Sequence, residues 1–401
     1  MVHHIPAILV VVAAAALAPM IGEATRRFGV SVVVLEILLG VAIGPQGFEL
    51  AVPTAGGLPT LAMFGMGMLF FIAGMEIDLG AIRSELKQAL LAWVAAFAVA
   101  VGVAFALRSA GLVEGWLVVA IALPTTALGV LVPILKDAGV LATPFGRSVM
   151  AAGVIGELGP IIAMSLALST KNAADVQAVF TVVFIFIVAA VYWASSHVLA
   201  PGVMAFLRGT MLRSGQLPVR LAMLLLVLLG VLAEELGIDL ALGALAAGMI
   251  VGLALRDTTD HTMHHKLEAV AFGFFVPIFF IVSGMKLDVA AIFGSTQGLV
   301  LFGVAFIALV AVRIPGMLLY RREIGSHAAV AHGLYSATTL SLIVAITGIA
   351  VSGGLMKAAE AAPLVGAGML TVLLFPAIAL PLAGLKRGQN PDAVHDDRDG
   401  L

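Results

Sequence analysis

Glu157 is the residue whose type and place most demand chemistry. It stands in RSVMAAGVIGELGPIIAMSLAL, about ten residues from either end of an apolar stretch. At a helical rise of ~1.5 Å per residue, it falls near the middle of a bilayer core. A charge at that depth costs roughly 2.5–3.5 kcal/mol on insertion scales, so it calls for a purpose. A carboxyl group is neutral when protonated and needs a cation when ionised. One placed at the midplane can trade a proton for a metal ion. The bland alternative is a permanently protonated packing glutamate; the midplane position favours exchange.

Arg313 is the second intramembrane charge. It lies in LFGVAFIALVAVRIPGMLLYRR, roughly 12 Å of helix from the end of its span. It could snorkel to the interface, helped by a kink at Pro315. We favour a fixed positive charge that balances Glu157 or supports the backbone of the site. Two Thr-Thr pairs add a third signal: Thr125 and Thr126 beside Pro124, and Thr338 and Thr339 after Gly333 and Ser336. Helices that break at the midplane expose carbonyls and N–H groups that an ion can use where they line a cavity. The simpler reading is hydroxyls bonded back to their own helix carbonyls. Their matched positions, described below, favour function.

Other polar residues carry weaker signals. Glu36, near the start of the second apolar stretch, reads as an interfacial carboxylate. Glu76, Asp78, Lys286 and Asp288 read as helix-end charges, and Glu234 and Glu235 as solvated acids closing a span. His261 and His265 stand four apart in DHTMHHKLE, a spacing that could bind a metal on a helix or sense pH; a solvated loop face is the simpler account.

These residues must be positioned by membrane-spanning helices. The chain has 401 residues, 62% hydrophobic and 11% charged, with a mean hydropathy of +1.15. A soluble domain is nearer half apolar and a quarter charged. A net charge of −2 gives no footing for nucleic acid, and the absence of cysteine excludes disulfides, thiolate metal sites and cysteine nucleophiles. No HExxH, paired aspartates or Ser/Lys dyad within the spans suggests an enzyme. The first residues, MVHHIPAILVVVAAAALAPM, lack a basic n-region and read as a retained span.

About thirteen apolar stretches are long enough to span, starting near residues 5, 30, 59, 88, 113, 146, 176, 220, 239, 270, 298, 329 and 361. With the N-terminus outside and the C-terminus cytoplasmic, sixteen of the 21 Lys and Arg fall on the cytoplasmic side. Arg108, Lys171, Lys286 and Lys357 fall outside, and Arg313 belongs to neither set. This is the positive-inside pattern of a multi-pass protein of the inner or plasma membrane.

The chain also repeats itself at an offset near 210. FFIAGMEIDLGAI (Phe70 to Ile82) recurs as FFIVSGMKLDVAAI (Phe279 to Ile292). LLGVAIG recurs as AAGMIVG, bringing the Gly-x-x-x-Gly pairs Gly40/Gly44 and Gly248/Gly252, which suit close helix packing. PTTALG recurs as ATTLSL. Seven spans separate the copies, and an odd number reverses direction. The expected organisation is an inverted-topology repeat: repeat one about 5–168, a linker helix about 176–198, repeat two about 220–384. Together they make a transmembrane domain over 1–385, followed by a short polar tail over 386–401.

These residues resemble the monovalent cation:proton antiporter superfamily, in particular its second branch of Kef-type potassium efflux systems and bacterial sodium/proton antiporters. LEILLGVAIGPQGF resembles the second span, MLFFIAGMEIDLGAIR the third, PTTALGVLVPILKDAG the unwound fifth, and ELGIDLALGALAAGMIVG the junction of the eighth and ninth. The likeness runs from about residue 8 to 384. It implies an all-α fold of about thirteen helices with two crossed discontinuous helices, in a homodimer whose core domain moves against a dimerisation domain. Spans five and twelve would cross, carrying Thr125, Thr126, Ser336, Thr338 and Thr339. Glu157 matches the ion-binding carboxylate, the site of a monovalent cation exchanged for a proton, and Arg313 the family's basic residue. Two features depart from the pattern. The family usually has Asp there, preceded by Asp, Asn or Gln, where this chain has Gly156-Glu157. The nucleotide-binding regulatory domain common in Kef-type members has no counterpart after Arg387.

The expected function is therefore exchange of Na+, Li+ or K+ for protons by alternating access, one for one and electroneutral, with Glu157 holding either ion. Hard oxygen ligands suit these cations. No cofactor is expected, and lipid and a second copy of the chain are the partners. An ion-coupled symporter on the same fold or a non-transporting sensor are the alternatives.

Overall fold

The computed structural model of the chain describes residues 6–24, 32–77, 79–141, 143–168, 210, 215–236, 240–255, 262–287 and 289–383. Among the described residues there is no strand. Each apolar stretch expected to span is helical, except that near 176, which lies outside the described residues with the linker helix, the tail, Asp78, Asp288 and His261. Among the described residues, seven helices are long and apolar enough to cross a membrane: Ala7–Ala24, Leu58–Glu76, Arg83–Ser109, Leu217–Glu235, Thr262–Met285, Thr296–Ile324 and Ala358–Leu382. Ser326–Ala337 with Leu342–Gly348 makes an eighth as a pair bent by 43°. Val32–Ile43 and Leu240–Leu255 are shorter apolar helices. Apolar residues on every face of these helices suit a solvent of lipid and other helices.

The chain divides into two compact units, one of Met1–Leu79 and Ser165–Leu287, the other of Gly80–Met164 and Asp288–Leu401. In the first unit the repeated glycine motifs decide the packing. A Cβ at Gly40 would fall on the carbonyl oxygen of Ile281, and one at Gly284 on that of Ile37. Val32–Ile43 and Val276–Met285 therefore touch backbone to backbone. Leu240–Leu255 and Leu58–Glu76 do the same, with Gly248 against the Phe71 carbonyl and Gly74 against that of Leu245. Each glycine motif thus packs on the Phe-Phe-Ile motif of the other copy. A Gly248→Ala substitution is expected to cost about 1–3 kcal/mol by overpacking. The check is a lower melting temperature in detergent, with Gly102→Ala as the silent control, because a Cβ there meets nothing within 4 Å.

One reading of this unit's charges changes. Glu36 is buried rather than solvated: it is 5% exposed within Val32–Ile43, the helix whose Gly40 lies against the Ile281 carbonyl. The histidine that enters the structure is His264, neither of the two spaced for a metal. Its Nε2 lies 3.1 Å from Glu76 Oε1 and 3.4 Å from Glu268 Oε1. The His265 side chain is 74% exposed, the solvated face expected of it, and Glu234 and Glu235 are exposed as well.

The second unit holds Leu79–Ser109 from Gly80 onward, Pro144–Leu168 as far as Met164, Thr296–Ala311, Ile314–Ile324, Ala358–Leu382 and two broken helices. The first broken helix is Trp116–Ala122 followed by Leu128–Asp137. The second is Ser326–Ala337 followed by Ser341–Ser352. The second begins directly after Gly325, whose φ of 82° turns the chain where a side chain would be strained. Residues 312–313 interrupt the span around Arg313, just before Pro315.

Candidate functional site

A helix that breaks inside an apolar unit must find partners for its freed backbone groups. Pro124 starts the first break, because proline cannot donate to the helix ladder. Past it, the Thr126 N–H donates to the Gly156 carbonyl (3.0 Å) and the Ala127 N–H to the Thr338 carbonyl (2.8 Å). At the second break the Thr339 N–H donates to Thr371 Oγ1 (3.0 Å). Two successive carbonyls of the first break also take side-chain donors. Trp93 Nε1 donates to Pro124 O at 3.2 Å, and Arg313 Nη2 donates to Thr125 O.

The breaks also meet side chain to side chain. The Thr125 and Thr339 hydroxyls lie 2.7 Å apart. Thr126 Oγ1 donates to the Ser336 carbonyl at 2.7 Å. Thr338 alone of the four threonines follows the bland reading, its hydroxyl donating only to Leu334 O, four residues back (3.1 Å). Thr125 does both, donating also to Ala122 O (2.7 Å). The four threonines are buried. The structure therefore brings Thr125, Thr126, Ser336, Thr338 and Thr339 together at one crossing.

Glu157 joins this crossing through its neighbour. Gly156 offers its carbonyl to Thr126, and Glu157 is next along the helix, 1% exposed with both carboxyl oxygens shielded. The structure accounts for the glycine. A Cβ at Gly156 would fall on the Thr126 hydroxyl and 2.7 Å from Thr126 Cβ. The threonine fills the space that a polar side chain before the carboxylate would need.

Arg313 does not snorkel. It is 5% exposed, and its guanidinium holds the Thr125 carbonyl, so it supports the backbone of the site. It can do so because the helix turns at residues 312–313 and starts again at Ile314.

Three contributors went unnoticed in the sequence. Trp93 covers Gly159 on the Glu157 helix, where a Cβ would meet its indole, while its N–H reaches Pro124. A tryptophan in mid-span, away from the interfacial belts, was the available signal. Thr371 caps the second break from Ala358–Leu382. Glu360, 6% exposed, accepts the N–H groups of Glu114 (2.9 Å) and Gly115 (3.3 Å) at the start of the first broken helix. Glu114 in turn pairs with Lys357, whose exposed ammonium it holds above its ordinary pKa.

Two broken helices crossing beside a buried carboxyl group, with a guanidinium on the backbone of the break, are an arrangement that secondary transporters use. The comparisons place it further: residues 12–383 match the sodium/hydrogen exchanger transmembrane family, and the chain belongs to that family. It is similar to YjbQ of Bacillus subtilis (strain 168), 27% identical over 362 residues, which are 86% of this chain and 58% of YjbQ. The chain thus spans less than two thirds of that relative. It is also similar to the Na+/H+-K+ antiporter GerN of Bacillus cereus, 25% identical over 371 residues, 88% of this chain and 90% of GerN. Among solved structures it resembles the sodium proton antiporter MjNhaP1 of Methanocaldococcus jannaschii, with a TM-score of 0.60, 15% identity, and coverage of 96% of this chain and 99% of that one. This likeness shows the fold, an all-helical one, and the family is one of multi-pass membrane proteins. The family is one of transporters, not enzymes.

Proposed function

We propose that this protein exchanges one monovalent cation, Na+, Li+ or K+, for one proton, with Glu157 holding each in turn. The observation that carries the proposal is a carboxyl group 1% exposed, one residue past the carbonyl that accepts the N–H of the first break. Protonated, it is a neutral group in an apolar unit. Ionised, it draws a cation, for which threonine hydroxyls, backbone carbonyls and water are hard-oxygen ligands. The names of the relatives support this class of cargo, and GerN's includes both sodium and potassium. Cation and proton are cargo, so no cofactor enters the cycle.

Arg313 keeps its charge throughout, so the carrier moves the same net charge whichever ion it bears. Exchange is therefore electroneutral and proceeds by alternating access of the site to the two sides. We further propose the orientation that the Lys and Arg pattern supports, N-terminus outside, and a homodimer. The two inverted repeats are supported by the reciprocal packing of the glycine motifs.

The test is purified protein in liposomes holding a pH gradient, with sodium, lithium and potassium added in turn. At least one should dissipate the gradient; if none does, cation exchange is lost as a reading. With the membrane potential clamped at different values, the rate should not change. A voltage-dependent rate would remove the one-for-one stoichiometry while leaving exchange intact.

A further inference from the structure

Behind the crossing lies a small cavity of about 20 Å³, lined in part by Trp93, Arg313, Met317, His332, Gly333 and Ser336. Three of these residues bring a buried polar atom without a hydrogen-bond partner: Arg313 Nε, His332 Nε2 and Ser336 Oγ. The residues are 5%, 2% and 5% exposed. Buried polar groups in folded proteins are almost always satisfied, by protein or by ordered water. Three exceptions lining one cavity point to a common ligand.

The chemistry of the three atoms selects it. Arg313 Nε–H can only donate, neutral imidazole can accept at Nε2, and the serine hydroxyl can do either. One water accepts from the arginine, donates to the histidine and completes its bonds with the serine. The volume agrees, since a single water needs roughly 10–15 Å³ of such space and two to four polar partners. A transported cation does not fit, because a guanidinium N–H faces it. We propose that this cavity is a binding site for one structural water, and that His332 is a positioning residue for Arg313 through it.

The consequence follows from where Arg313 points. Its Nη2 holds the Thr125 carbonyl of the first broken helix. Through the water, its Nε is held by His332 and Ser336 of the second. Arg313 then joins both breaks, beyond the direct threonine contacts. His332 is fixed for this task by its ring, which lies on Tyr320 with centroids 4.2 Å apart and planes at 33°. Without the water, the guanidinium loses one of its two anchors. The Thr125 carbonyl then loses its fixed donor, and cation affinity falls with it.

This inference rests on the exchange reading for its functional half, and its tests separate the two. The first is a high-resolution density map of the full chain in lipid. A peak within hydrogen-bonding distance of Arg313 Nε, His332 Nε2 and Ser336 Oγ is expected, and an empty cavity overturns the water whatever the transport result. The second is the liposome assay with His332→Phe, which keeps the ring on Tyr320 but removes the acceptor, and His332→Gln, which restores one. His332→Phe should raise the apparent KM for the cation about tenfold, with little change in kcat. His332→Gln should stay near wild type. A Phe variant with the wild-type KM, or a folded Gln variant as weak as Phe, overturns the positioning role. Should His332→Phe fail to fold, the map and the Gln variant still decide. A wild type that exchanges no cation defeats the exchange reading instead, and leaves the map as the test of the water.

Discussion

Glu157→Gln should reduce cation-driven dissipation of a pH gradient to the rate of protein-free liposomes. Glutamine matches glutamate in shape but cannot release a proton or present a full negative charge, so it stops both halves of the exchange together. The same change should leave the melting temperature equal or higher. An ionised carboxylate held 1% exposed carries a desolvation cost that the neutral amide avoids. Loss of transport with retained stability marks a working group; loss of both marks a packing glutamate. Glu157→Asp is the informative companion. It keeps the chemistry and withdraws the carboxylate by one methylene, so exchange should persist with a changed KM. A Gln variant that transports like wild type would end the role assigned to Glu157.

Gly156→Asn is the second large effect, and it restores the residue type usual in the family. In isolation it looks conservative, even corrective. The structure makes it damaging, because the new Cβ lands on the Thr126 side chain. Thr126 must then give up its N–H bond to the Gly156 carbonyl or its hydroxyl bond to the Ser336 carbonyl. Both tie the first break to its neighbours. We expect at least about a tenfold fall in exchange, since each buried bond lost leaves polar groups costing about 1–3 kcal/mol. Gly156→Asn with Thr126→Gly should recover the part of that loss owed to the N–H bond, because the collision goes with the side chain while the Ser336 carbonyl stays without its hydroxyl donor. The measure is the coupling in a double-mutant cycle of exchange rate and melting temperature. Strictly additive effects would show that Gly156 and Thr126 act separately.

The two variants differ in how far the sequence alone could reach them. Glu157 is legible because membrane solvent makes every charge conspicuous: one carboxyl group in the middle of a largely apolar stretch of 22 residues has few ordinary explanations. The repeat made the Thr-Thr pairs legible for a similar reason, since matched positions in inverted copies would meet at the same depth. The glycine pairs could be assigned to close packing, but not to the partners they choose. That each copy's glycines lie against the other copy's Phe-Phe-Ile motif depends on how the chain returns on itself.

The reading of Arg313 shows the same boundary. Sequence left open whether it balances Glu157 or supports the backbone of the site. The hydrogen bond to the Thr125 carbonyl selects support, through a turn at residues 312–313 that sets the direction of the side chain. Glu36 stood near the start of a stretch and read as interfacial, and only the close approach of helices buries it. Trp93 offered only its mid-span position as a signal, and Thr371, Glu360 and His332 have ordinary types at ordinary positions. What singles them out is the carbonyl, amide or cavity opposite each, which for the first three comes from residues 31, 32 and 246 positions away along the chain.

By itself, then, the sequence determined that this protein lives in a bilayer, pointed to inverted helical repeats, and singled out one carboxyl group in the middle of an apolar stretch. Composition and period suffice for that, because lipid excludes unpaired polar groups from every span. Tertiary structure decided which groups satisfy the broken helices. It set Arg313 on the Thr125 carbonyl, filled the space beside Gly156 with Thr126, and gathered Arg313, His332 and Ser336 around one cavity. Hydrogen bonds are made over about 3 Å, and at that range only the folded chain says which residue faces which.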